Sequence, residues 1–294
     1  MEMMFHNIAR NRPHRAMYNA HMESASENTA QKMERLTEIL EDAGRVAVAF
    51  SGGTDSTFLL AFAHKVLGND AIGITISTPL IPDEDMAFAK EFCRERDIEH
   101  IVIEVDALAC EDVRLNPPDR CYHCKKLDMG TVIEKAKELG AVACDGANVD
   151  DAGDYRPGMK AAAELGILSP MAEAGLTKRE IREQSRELDI PNWDKPASAC
   201  LASRIPYGIA LDAETLRRIG KAEELLRAKG FPQVRVRAHG DLARIEVPAE
   251  QIEAICASPT REHVDDALRN LGFAYVTCDM QGYRMGSLNE ALDL

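Results

Sequence analysis

The sequence AFSGGTDS, Ala49 to Ser56, stands between an apolar run, RVAV, and an unbroken amphipathic stretch, TFLLAFAHKVL. A strand that enters a glycine turn and leaves it as a helix is open to few folds. Such a turn aims several backbone N–H groups and the positive end of a helix dipole at one spot, which suits an anion. Gly52 and Gly53 admit a close ligand, Ser51 and Ser56 add hydroxyls, and Asp55 offers a carboxylate for a magnesium ion that bridges phosphates. No GxxxxGK[ST] sequence occurs, so there is no P-loop lysine to act on a γ-phosphate. An ordinary strand-to-helix turn needs the glycines alone. Ser, Asp and Ser in this order favour a nucleotide phosphate.

The rest of the chain repeats the pattern. RVAVAF (45–50), AIGITIS (71–77), HIVIEV (100–105) and AVACDG (141–146) are β-prone runs separated by helical patterns over 56–67, 83–96 and 119–139. Alternation of this kind predicts an α/β fold with a doubly wound parallel sheet. Thr177 and Glu180 form a capping box for a helix that Pro191 ends. From Asp212 the order becomes helix, strand, strand, helix, strand, which predicts a smaller C-terminal α+β domain with two strands paired antiparallel around His239-Gly240-Asp241. The expected division is a poorly ordered tail over 1–30, a nucleotide domain over 31–208, and a substrate-binding or oligomerisation domain over 209–294.

Composition excludes several roles. A formal charge of −14 opposes nonspecific binding to nucleic acid or an anionic membrane. No apolar run approaches the ~20 residues of a membrane span, and the first thirty residues lack the apolar region of a secretory signal. Eight cysteines are too dilute for a disulfide scaffold, which points to the reducing cytoplasm.

SGGTDS after a first strand resembles the pyrophosphate loop of the adenine-nucleotide α-hydrolases, or PP-loop proteins, and DGANVDD (145–151) is similar to their second nucleotide-side motif. The resemblance adds Asp145, Gly146 and Asn148 to the ATP site. Three further stretches, RCYHCKK (120–126), DYRPGMKAAAELGILSPM (154–171) and KPASACLASRIPYG (195–208), followed by VRVRAHGDLARIEV (234–247), resemble the ATP-dependent sulfur transferases of the LarE type. That resemblance implies a pyridinium biscarboxylate mononucleotide as small-molecule substrate. Its carboxylates become thiocarboxylates on the way to the nickel-pincer cofactor of lactate racemase. The expected course is attack of a carboxylate on the α-phosphorus, loss of pyrophosphate, then attack of sulfur on the acyl-adenylate and loss of AMP.

Cys121 and Cys124 have ligand spacing without a second such pair, which argues against a zinc ribbon. With Cys200 they make three thiolates, enough for three irons of a 4Fe-4S cluster whose fourth iron stays open. Family members differ: some have only the cysteine matching Cys200 and give up its sulfur, whereas others have all three and bind a cluster. This sequence has all three, and both sulfur sources stay open at this point; the bland reading makes Cys121 and Cys124 helix-surface thiols. Arg235 and Arg237 alternate onto one strand face, where they either clamp the substrate phosphate or pair with acidic neighbours; the resemblance favours the clamp. Arg204 follows Cys200 closely and is placed with them as a substrate contact. The remaining cysteines sit among apolar neighbours and are assigned no chemistry. A homo-oligomer and a sulfide-donor protein complete the expected partners. The alternative is a tRNA-thiolating PP-loop enzyme with an iron-sulfur cluster, against which the acidic charge counts.

Overall fold

The computed structural model describes residues 13–153, 161, 164–196 and 199–288, with side chains from residue 28 onward except at 152–153. Helix α1 spans Pro13–Ala43. Proline suits a first helical turn, and no glycine or second proline interrupts the chain before Gly44. The stretch expected as a poorly ordered tail is therefore helical from Pro13 onward; residues 1–12 lie outside the described part.

Strands β1 (Val46–Ala49), β2 (Ala71–Ser77), β3 (Glu99–Glu104) and β4 (Val142–Cys144) form a wholly parallel sheet in the order β3-β2-β1-β4. The crossovers are α2 (Thr54–Leu67), α3 (Asp83–Glu95) and α4 (Arg120–Glu138). Alternation along β1 explains the layers: Val46, Val48 and Phe50 pack with Leu36, Leu40, Phe58 and Ile181 on one face, and Ala47 packs with Met129, Val132 and Ala136 of α4 on the other. Cover on both faces is why β2 is apolar almost throughout. Helix α5 (Lys178–Glu187) opens on the expected capping box, with both Thr177 and Glu180 contributing.

The C-terminal unit has α6 (Ala213–Ala228), β5 (Arg235–His239), β6 (Leu242–Glu246), α7 (Thr260–Asn270) and β7 (Tyr275–Cys278). β5 and β6 pair antiparallel about Gly240, and β7 joins β6 in parallel after crossing over through α7. Its core takes in Leu80, Ala107, Val113, Leu201, Ala202 and Ile205 from before residue 209, and the Leu201 N–H donates to the Leu80 carbonyl at 2.8 Å. The segment that carries Cys200 is thus anchored in the shared core of both units.

Candidate active site

The phosphate loop is fixed before any ligand arrives. Gly52 has φ +71°, and a Cβ there would stand 3.0 Å from the Asp85 carbonyl oxygen, so the turn needs glycine on two counts. The Ser51 and Ser56 hydroxyls lie 3.1 Å apart, and the Ser51 N–H donates to Ser56 Oγ at 3.3 Å. The Thr57 hydroxyl donates to the Gly53 carbonyl at 2.7 Å. Gly53 caps α2 with no side-chain bond, which leaves the first helical N–H groups to an anion.

The second nucleotide motif lies against the same helix mouth. At Gly146 a Cβ would stand 3.0 Å from the Ser56 nitrogen. Buried Asn148 donates through Nδ2 to Asp55 Oδ2 at 3.3 Å, and Asp145 Oδ1 accepts from Ser169 Oγ at 2.7 Å. The predicted residues Ser51, Gly52, Gly53, Asp55, Ser56, Asp145, Gly146 and Asn148 are therefore contiguous. Sequence reasoning missed Asn192. Its Nδ2 donates to the Gly52 carbonyl at 3.0 Å and to Thr57 Oγ1 at 3.1 Å, while its own carbonyl accepts from Thr54 Oγ1 at 2.8 Å. Beside it Lys195 pairs with Asp85 at 2.5 Å, behind the loop.

Asn192 and Cys200 are eight positions apart, so they lie within about 28 Å of each other. At the far end of that segment the thiols gather on one cation. Arg120, the first residue of α4, is 2% exposed, and its Nη2 lies 3.8 Å from Cys121 Sγ and 3.9 Å from Cys200 Sγ. Nη1 donates to Asn116 Oδ1 and, at 3.4 Å, to the Ala202 carbonyl. Asn116 Nδ2 donates in turn to the Pro206 carbonyl at 2.9 Å, and the Tyr207 ring lies 6.0 Å from the guanidinium. Burial works against the Arg120 charge, yet the Cys200 and Cys121 thiols hold its pKa above the ordinary value.

Cys124, one turn further along α4, donates to Asp128 Oδ2 at 3.6 Å. Burial, then Asp128, then the neighbouring Cys200 and Cys121 push its thiol pKa up. Burial also pushes Asp128 up to about 6 against the Cys124 hydrogen bond. Among the described residues no group of three or more His, Cys, Asp or Glu is arranged to hold one metal ion. All eight cysteines are free; burial pushes Cys93 and Cys144 each up to about 12, as befits small core residues.

The three arginines divide. Arg204, 1% exposed, is bidentate to Glu223 at 2.8 and 2.9 Å and donates to the carbonyls of Ala199 and Cys200. Arg237 is bidentate to Glu246 at 2.8 Å and donates to the Ser203 carbonyl at 2.7 Å. Both are sequence-expected substrate contacts; each has its fork on a buried carboxylate and also donates to the Cys200 loop. Arg235 has its carbonyl bond to Val234 and lies 5.5 Å from the Tyr283 ring, with its pKa lowered by burial and by Arg204. Of the motif over 154–171, residues 154–160 and 162–163 lie outside the described part.

A parallel sheet whose first strand ends in an uncapped serine-glycine loop, with an Asp–Asn contact across the helix mouth, defines an ATP-using enzyme of the PP-loop class. A family profile described as asparagine synthase matches residues 35–130, the part that carries this loop. The chain is 41% identical over 262 residues to an uncharacterized protein of Synechocystis, covering 89% of this chain and 98% of the other. It is 38% identical over 265 residues to the pyridinium-3,5-bisthiocarboxylic acid mononucleotide synthase of Lactiplantibacillus plantarum, covering 90% and 95%. An uncharacterized protein of Methanocaldococcus jannaschii is 30% identical over 241 residues, covering 82% and 91%. The chain belongs to the family of that synthase, the ATP-dependent sulfurtransferases of the LarE type.

Proposed function

We propose that the protein exchanges carboxylate oxygen for sulfur on a pyridinium biscarboxylate mononucleotide, a reaction that would yield the bisthiocarboxylic product for which its Lactiplantibacillus relative is named. The observation that carries the reading is the approach of Cys200 and Cys121 to one buried guanidinium, in a chain whose phosphate loop is already formed. Ser51 to Ser56 would hold the phosphates of ATP, and Asp55, bonded to Asn148, would supply a carboxylate to a magnesium ion that offsets their charge. A substrate carboxylate oxygen bonds to the α-phosphorus as the bond to pyrophosphate breaks. The helix mouth takes up the charge of the departing pyrophosphate. Arg235 would supply a cation to the substrate phosphate.

Cys121, Cys124 and Cys200 are the residues to hold a 4Fe-4S cluster. When bound, such a cluster offers an iron without a protein ligand, where an added sulfide is kept for transfer. In the other course the Cys200 thiolate attacks the acyl-adenylate, AMP leaves, and loss of the Cα proton breaks the Cβ–S bond, leaving dehydroalanine in the chain and the sulfur on the product. Among the described residues no helix is long and apolar enough to cross a membrane. The free thiols accord with a reducing cytoplasm, and a homo-oligomer fed by a sulfide-donor protein completes the reading.

The test is anaerobic incubation with ATP, magnesium and the biscarboxylate mononucleotide. AMP and pyrophosphate are expected only when the mononucleotide is present, together with a product whose mass reports oxygen replaced by sulfur. ADP in place of AMP overturns the adenylation step, and thiolated tRNA with an unchanged mononucleotide overturns the substrate.

A further inference from the structure

Among the described residues, Arg120 is a buried cation without a carboxylate partner. Its hydrogen-bond partners among the described residues are the Asn116 side-chain oxygen, the Ala202 carbonyl and two thiols. Its neighbours Arg204 and Arg237 show what this protein does elsewhere with buried guanidinium groups: each has its own glutamate, gripped through two bonds. Nearby carboxylates are engaged elsewhere. Asp112 and Asp119 both lie beside His123, and Asp128 accepts from Cys124. A desolvated charge is costly unless an opposite charge or a dense set of acceptors compensates it, and neutral oxygens alone compensate it poorly. Among the described residues, the ionisable groups within hydrogen-bond reach that can carry the missing negative charge are Cys121 and Cys200, with the Tyr207 ring further off at 6.0 Å.

We propose that Arg120 is the fixed counter-cation of the sulfur to be transferred, holding anionic sulfur at Cys200 and Cys121. The inference deepens the proposed function and rests on it. Geometry gives the guanidinium two tasks. Through Asn116, whose amide also reaches the Ile205 and Pro206 carbonyls, it fixes the approach of the Cys200 loop to α4. Through Nη2 it places positive charge against both sulfurs. The first task needs only hydrogen bonds, whereas the second needs a cation, so charge and shape are separable by substitution. Thiolate-bound clusters and a hydrosulfide are both anionic, and so is a lone Cys200 thiolate; the same cation serves each.

The experiment compares wild type with Arg120→Lys, which keeps the charge, and Arg120→Met, which keeps length without charge. Thermal melting establishes that each is folded, and Arg120→Gln replaces the methionine variant if that one does not fold. After anaerobic reconstitution, iron content and the midpoint potential are measured by redox titration. Reduction adds negative charge beside the guanidinium, so the neutral variant is expected to shift the potential to a more negative value, with lysine restoring most of the shift. Iron lost from the methionine variant but kept by the lysine variant also supports the assignment. Equal potentials at equal iron content overturn it, as does iron lost equally from both. If wild type takes up no iron, the cluster reading fails on its own, and the assignment is decided by single-turnover loss of sulfur from Cys200, followed by intact mass. There the neutral variant is expected to be about tenfold slower or more, with lysine recovering the rate. Equal rates in all variants overturn it.

Discussion

The phosphate loop and the thiol cluster are joined by one short segment of chain, yet they are assembled in opposite ways. Inside the loop, hydrogen bonds connect residues no more than five positions apart, so the strand, the glycines and the first turn of α2 nearly specify it by themselves. Cys200 lies 79 positions from Cys121, and its loop is held by Asn116 and Arg237, bonded across 89 and 34 positions, and by Arg204, which links the Cys200 carbonyl to Glu223. A site made of local bonds is rigid before its ligand binds. A site made by docking two segments depends on the packing of the whole molecule. Activation and sulfur delivery should therefore be separable by mutation.

The largest expected effect tests that separation directly. Cys200→Ala is expected to lower thiocarboxylate formation by about 10³-fold or more, while substrate-dependent pyrophosphate release stays within roughly a few-fold of wild type. Product mass spectrometry and a pyrophosphate assay read the two steps independently. Loss of both in a folded variant would show that the two regions act as one site.

The converse substitution is Asp55→Asn. It keeps the shape of the first turn of α2 but removes the carboxylate charge meant for magnesium, so pyrophosphate release should fall about 10²-fold. Iron uptake by the thiols should not change. A raised magnesium requirement would accompany the loss, and release at the wild-type rate at all magnesium concentrations would remove Asp55 from the role.

What the sequence disclosed follows the same divide. Strands β1 and β2 were readable because burial on both faces leaves apolar runs, the half-exposed edge strands β3 and β4 by their shorter β-prone runs, and the loop because Ser51 to Ser56 are consecutive. The hairpin at Gly240 was readable for the same local reason. Asn192 was not: it lies 140 positions from the Gly52 carbonyl it binds, and its only local signal is the proline before it. The pairing of Arg204 with Glu223 and of Arg237 with Glu246 was not legible either, because these become partners only when α6 and β6 are packed. Arg120 was visible as the first letter of RCYHC, but a charge next to cysteines in sequence does not reveal that it will be buried without a carboxylate.

Asn192→Ala probes a long-range tie on the local site. Removing the amide leaves the Gly52 carbonyl without that donor and is expected to cost about 1–3 kcal/mol of loop stability, seen as a KM for ATP raised about tenfold with kcat changed less. Steady-state kinetics against ATP check it. An unchanged KM would mean the loop's internal bonds are sufficient.

The smallest kinetic effect is expected where a long-range tie serves neither site. Glu180 binds Lys32 of α1 at 2.8 Å, accepts from Thr29 at 3.2 Å, and accepts from the Thr177 N–H at 2.9 Å. Burial opposes its ionisation, but Lys32 and Thr177 together bring its pKa down from 4.5 to about 2. A carboxyl group whose pKa is lower folded than unfolded adds stability that is present above the unfolded value and disappears as pH falls through the folded one. Glu180→Gln should then destabilise the protein by ~1–3 kcal/mol at pH 7, and the gap from wild type should narrow between pH 4.5 and about 2. Denaturant melts across that range read the gap, while kcat and KM measured at pH 7 should match wild type. A gap that does not vary with pH would assign the loss to packing between α1 and α5. A change in KM for ATP would instead show that docking of α1 reaches the phosphate loop, and would erase the distinction between locally and globally assembled sites.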